Sequence, residues 1–86
     1  MTKEILGYRK FKSEKGQFCI VNVVAPYQEN DIRHGAIGGK TEEVWIPEDF
    51  QHMITPDVIG KGIECAYEVT RSNGRVYANI IDVQII

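Results

Sequence analysis

Phe11 and Phe18, with Arg9 just before the first of them, are the side chains whose types and spacing offer the clearest chemistry in this chain. They flank Ser13-Glu14-Lys15-Gly16, a polar connection of hairpin length closed by glycine. Closing that hairpin pairs Lys12 with Gln17, which sets Phe11 beside Phe18 on one face together with Arg9, Ile20 and Asn22. Leu6, Tyr8, Cys19, Val21 and Val23 then share the other face, the more continuous apolar surface and the expected interior. An aromatic ring accepts any nucleobase against its flat side and a guanidinium pairs with phosphate, so the outer group suits stacking on single-stranded nucleic acid. The same phenylalanines equally suit a homodimer patch or a surface covered by a loop, because exposed apolar area often serves assembly.

Other residues could join such a surface. Lys10 and Lys12 lie on the same strand as Arg9. A further strand is expected over Lys40 to Ile46. If Val44 and Ile46 point inward, Trp45 points outward with Glu43, towards Phe18; the reverse orientation buries the tryptophan. In the C-terminal hairpin, a three-residue loop Ser72-Asn73-Gly74 keeps the apolar residues together, facing Val69 with Tyr77, Cys65 with Ile81 and Ile63 with Val83. Arg71 and Arg75 then stand opposite one another, so they either splay into water or are bridged by an anion such as phosphate. In the connection from Pro26 to Gly39, Tyr27, Arg33, His34 and Lys40 could grip a flexible strand, or the segment is a solvated loop.

Catalytic chemistry finds no support. Gly35-Ala36-Ile37-Gly38-Gly39-Lys40-Thr41 looks like a phosphate-binding P-loop, but His34 occupies the place of its first glycine, and Glu42 to Ile46 reads as a strand where a helix is needed. His34 and His52 are isolated, no metal-ligand spacing occurs, and Cys19 and Cys65 read as free thiols within strands. No enzyme activity, cofactor or metal is expected.

The elements that must position these residues run β-β-loop-β-α-β-β. Two hairpins, LGYRKF with QFCIVNVV and residues 63–70 with 76–83, bracket the third strand and a helical patch. Pro47 and two acids open that patch, Thr55-Pro56-Asp57 opens a further turn ended by Gly60, and Phe50, Met53 and Ile54 recur at helical spacing. This order is the outline of an all-β fold with a small helical insert, a five-stranded OB-like Greek-key barrel. The 86 residues make one domain with a single modest core. No run is apolar enough to span a membrane and no signal-peptide core follows Met1-Thr2-Lys3-Glu4, so a cytoplasmic protein without membrane contact is expected.

The net charge of −2 argues against nucleic acid, but its distribution is uneven. Residues 1–40 carry seven basic against four acidic side chains, and residues 41–86 carry three against eight. A folded barrel could present a basic side to a phosphate backbone and an acidic side to water or to a basic protein partner.

The stretch Ser13 to Val24, the strand ending at Ile46 and the segment Ile59 to Ile86 resemble the small OB-fold single-stranded-DNA-binding proteins of phages, the helix-destabilising type of filamentous phages. The resemblance implies a homodimer that coats single strands without sequence preference during replication or recombination of a phage or mobile element. It also implies a binding surface near Phe18 or Cys19 flanked by basic residues. The combined expectation is binding of single-stranded DNA, or RNA, through Arg9, Lys10, Phe11, Lys12, Phe18, Tyr27, Arg33, Lys40, Trp45, Arg71 and Arg75. The alternatives are an OB- or SH3-like protein-interaction module that uses its acidic face.

Overall fold

The structure, a computed structural model, describes residues 2–86. Five antiparallel strands form one open sheet in the order β3-β2-β1-β4-β5, with β1 Lys3–Ser13, β2 Gly16–Pro26, β3 Gly39–Trp45, β4 Gly62–Ser72 and β5 Arg75–Ile85. A short helix α1, Glu29–Arg33, lies between β2 and β3, and two 3₁₀ helices, Glu48–Met53 and Pro56–Val58, lie between β3 and β4. Among the described residues no helix is long and apolar enough to cross a membrane.

The first hairpin closes as its sequence requires, with Lys12 opposite Gln17 and Phe11 opposite Phe18. Its inner end departs from the expected alternation. The register shifts between Ile5↔Val23 and Gly7↔Asn22, so Leu6 is an extra residue in β1. Side-chain alternation restarts after such a bulge. Ile5 is therefore fully buried and Leu6, expected inside, is exposed.

The second hairpin corrects the expected turn. Ser72 pairs with Arg75, so the loop has two residues, and Asn73 and Gly74 both have positive φ, +52° and +75°. That is the turn whose twist matches the flanking strands. A two-residue loop alone would split the apolar residues between faces. The sheet avoids this with a second bulge, where the register shifts between Tyr67↔Ile80 and Ala66↔Asp82 and leaves Ile81 unpaired. Beyond it Cys65 faces Val83 and Ile63 faces Ile85, and Ile81, expected opposite Cys65, is exposed.

The core comprises Ile5, Cys19, Val21, Val23, Val44, Ile46, Ile54, Val58, Ile63 and Val83. Phe50 and Met53 pack against it from the 3₁₀ helix, which touches β2 and β5 as the expected plug. The halves of the sheet meet along a short seam. β1 and β4 pair only at Lys3↔Ile63 and Glu4↔Gly62, helped by Ile5 N donating to Lys61 O at 2.9 Å and Gly60 N donating to Ile5 O at 2.8 Å. Past this seam the β4–β5 hairpin leaves the body. From Ala66 to Asn79 every residue is exposed, on both faces of the hairpin. The outer edges of β3 and β5 are not joined by strand pairing, and an open cleft of about 590 Å³ lies between Val44, Trp45 and Ile46 on one side and Tyr67, Ala78 and Ile80 on the other.

Candidate nucleic-acid interface

Paired residues of adjacent strands share a face, so Arg9↔Ile20↔Trp45 forms a row across β1, β2 and β3, and Phe11↔Phe18 forms the next. The rings of Phe11 and Phe18 stack with centroids 5.3 Å apart and planes inclined by 24°. Phe18 meets Trp45 edge to face, 6.0 Å between centroids and 82° between planes. The Arg9 guanidinium lies 5.8 Å from the Phe11 centroid. Three aromatic rings thus form a continuous row on the side of the sheet away from the core. Trp45 is 55% exposed and Phe11 40%, while Phe18 between them is half-buried.

Ile20, expected to be exposed on this face, is buried. It sits on β2 between Arg9 and Trp45 of the flanking strands, with Phe18 and Asn22 two residues away on either side along β2. It gives the row a packed floor, separate from the main core.

The remaining candidate residues fall into three places. Lys10 and Lys12 belong to the aromatic strand but alternate onto its opposite face, with Lys10 5.7 Å from the Tyr8 ring centroid. Tyr27, Arg33 and Lys40 lie at the other end of β2 and β3. The Pro26–Gly39 connection is partly helical there, because Glu29 and Arg33 are spaced one turn apart and pair at 2.8 Å, and His34 Nδ1 lies 2.7 Å from Asn30 O. Lys40 has Glu42 at 3.8 Å. The cations at this end therefore have acidic partners, whereas Arg9, Lys10 and Lys12 make no ion pair among the described residues. Arg71 pairs with Val76 and Arg75 with Ser72, so the two arginines emerge on opposite faces of the second hairpin. The expected arginine pair at that tip is replaced by two separate charges, a direct result of the two-residue turn.

Three features had no signal in the sequence. Lys3 Nζ reaches Glu42 Oε2 at 2.5 Å, across the intervening β2, and ties the start of β1 to β3. The hydrogen bond holds the Glu42 carboxyl below its ordinary range and the Lys3 ammonium above its own. Gln51 is buried within the 3₁₀ helix Glu48–Met53, with its side-chain Nε2 donating to Gln17 O and Ile46 O, each at 3.0 Å. Gly39 permits β3 to start against β2, since a Cβ there would fall 2.5 Å from the Val24 side chain. Both cysteines are free thiols, and burial raises their pKa, as suits packing and not nucleophilic chemistry. Among the described residues no cluster of histidine, cysteine and carboxylate is arranged to hold a metal.

No protein-family model, curated protein or solved structure matches this chain.

Proposed function

We propose that this chain binds single-stranded DNA without doing chemistry on it, as a homodimeric OB-like protein of phage or mobile-element replication or recombination. The observation that carries the reading is the exposed row Phe11, Phe18 and Trp45 with Arg9 against its end. Successive unpaired bases can stack on such a row whatever their identity, while the duplex, whose bases already stack on each other, cannot. Arg9, Lys10 and Lys12 supply cations free to meet phosphates from the two faces of one hairpin. The strand order and the helical insert before β4 support an OB-like barrel left open between β3 and β5, consistent with a fold that tolerates partial opening. Dimer formation is supported by the projecting β4–β5 hairpin. One of its faces runs from the core residues Ile63 and Val83, with Cys65 and Ile85 packed against the core, to Tyr67, Ile80, Val69, Ala78 and Val76, apolar throughout except for Arg71 at the tip and bare in its outer half.

The test is titration of the protein with oligo(dT) and with duplex DNA, reading Trp45 fluorescence at several salt concentrations. Quenching by oligo(dT) at concentrations where duplex has no effect is expected. Each neutralised single-strand phosphate steepens the fall of log K with log salt by about 0.7, so Arg9→Gln should flatten the slope by about that amount. Equal response to duplex, or none to either, would overturn the reading.

A further inference from the structure

Gln51 is the one buried polar side chain among the described residues, 6% exposed, and it is held in a costly way. Its Nε2 makes two hydrogen bonds, but its Oε1 is buried with no donor. A buried acceptor left unpaired is destabilising, and an apolar side chain of the same size would avoid that term. What an apolar side chain could not do is bond the two carbonyls that Nε2 reaches.

Those carbonyls have a particular place in the sheet. The β2–β3 ladder runs through Ile20↔Trp45 and ends where Ile46 N donates to Cys19 O at 2.9 Å. The next residue of this chain to face β2 would be Glu48, opposite Gln17, but Glu48 instead opens the 3₁₀ helix after Pro47 and the ladder stops. The carbonyl of Gln17, the next along β2 to face that side, would be left without its strand. Gln51 supplies the missing donor from a helix that has already turned away, and the same amide also bonds Ile46 O. Gln17 precedes Phe18 and Ile46 follows Trp45, so one side-chain amide fastens the backbone on both sides of the edge-to-face ring contact.

We infer that Gln51 is a positioning residue for the aromatic row, a side-chain substitute for a strand that locks Phe18 and Trp45 in their edge-to-face arrangement. The inference rests on the reading of that row as a stacking surface. Phe11 needs no such device, since it stacks directly on Phe18 within a regular hairpin. Trp45, at the last paired position before Pro47, sits where a strand would otherwise fray, and the amide holds that end.

The experiment compares the full chain with its Gln51→Met variant, similar in length but without a donor, under conditions where denaturant titration shows both fully folded. In the variant the near-UV circular dichroism of Trp45 should weaken, and affinity for oligo(dT) should fall roughly tenfold, within the worth of one base-aromatic stack. The salt dependence should be unchanged because no charge is altered. A folded variant with native Trp45 dichroism and native affinity would overturn the inference and leave Gln51 a stabilising residue only. If the unmodified protein fails to bind oligo(dT), the stacking function falls, while the Trp45 dichroism still decides whether Gln51 fixes the rings. Should Gln51→Met not fold, NMR of the unmodified protein decides. Slowly exchanging Gln51 side-chain amide protons together with Phe18–Trp45 ring contacts support the inference, and an amide that exchanges like an exposed one overturns it.

Discussion

Trp45 brings together two roles that a single substitution can separate. It is 55% exposed and its ring meets Phe18 by an edge, so the fold removes somewhat under half of its area from water. Trp45→Ala should therefore destabilise by clearly less than a fully buried tryptophan would, whose loss costs about 3–5 kcal/mol. Binding to oligo(dT) should weaken by about 1–3 kcal/mol, the worth of one base-aromatic stack. Isothermal titration and thermal unfolding of the same variant check both halves. The ion pair Lys3–Glu42 makes a different claim at this scale. Glu42 has a lower pKa folded than unfolded, so its stabilisation is complete above about pH 4.3, the ordinary glutamate value, and is lost as pH falls through the folded value. Lys3, raised, behaves in the opposite sense: its share is present below about pH 10.4 and lost as pH rises through its higher folded value. In Glu42→Gln the urea midpoint should be lower than that of the unmodified protein at pH 7, and the gap should narrow as pH drops below about 4.3. A constant gap would remove Glu42 from the acid response. Residue types alone suggested the aromatic row, because hairpin register is a local property fixed by a glycine-closed turn. They could not reveal Gln51 or the Lys3–Glu42 pair, whose partners are 34 and 39 residues distant in sequence.

At the level of elements, the two bulges decide which side chains reach the core. Both hairpins and the helical plug were legible from turn residues and apolar spacing. Leu6 and Ile81 were misplaced because a bulge has no local signature when its residue is as apolar as its neighbours. It arises where a turn sets one register and the core demands another. The β4–β5 hairpin is the clearer case: Asn73-Gly74 dictates a tight turn, and Ile81 absorbs the resulting mismatch. Deleting Ile81 should remove the bulge and let the register of the two-residue turn run unbroken to the base, with Cys65 still opposite Val83 and Ile63 opposite Ile85. The residue removed is 53% exposed, so a change of less than about 1 kcal/mol is expected in urea unfolding. A loss of about 3 kcal/mol or more would show that the twist of the bulge is itself needed to seat Val83 and Ile85 on the core. The short helix α1 was also missed, as a five-residue helix in a polar connection gives no periodicity to read.

The whole molecule measures 43 × 40 × 22 Å, broad and thin for its length, because the second hairpin projects from the body instead of folding over it. Tyr67, Val69 and Val76 on its apolar face are 52%, 63% and 63% exposed. A second copy that covers this face would remove the exposed apolar strip and complete a surface continuous with the core, as homodimer interfaces commonly do. Sedimentation at micromolar concentration is expected to give a dimer. Val69→Gln with Val76→Gln should raise its dissociation constant at least about tenfold for each valine and leave monomer unfolding unchanged, since neither side chain belongs to the core. A monomer at all concentrations would remove assembly from the proposal. That the fold is mostly β, with five strands and few helices, was foreseeable from the sequence of elements. The open side of the sheet was not, because whether β3 and β5 meet depends on a plug whose size only the folded chain reveals.

The short seam between β1 and β4 has a consequence for how the chain comes together. Almost every strand pairing joins neighbours in sequence, β1 with β2, β2 with β3, β4 with β5, so each half can form by local search with little loop-closure cost. Among the described residues only Lys3, Glu4 and Ile5 join the halves by main-chain pairing at the seam, and Ile5 does so while its side chain is fully buried in the core. The three-stranded meander and the terminal hairpin are thus expected to behave as two cooperative units whose docking at Ile5 comes late in folding, so that truncating Ile5 should speed unfolding more than it slows folding in a stopped-flow chevron.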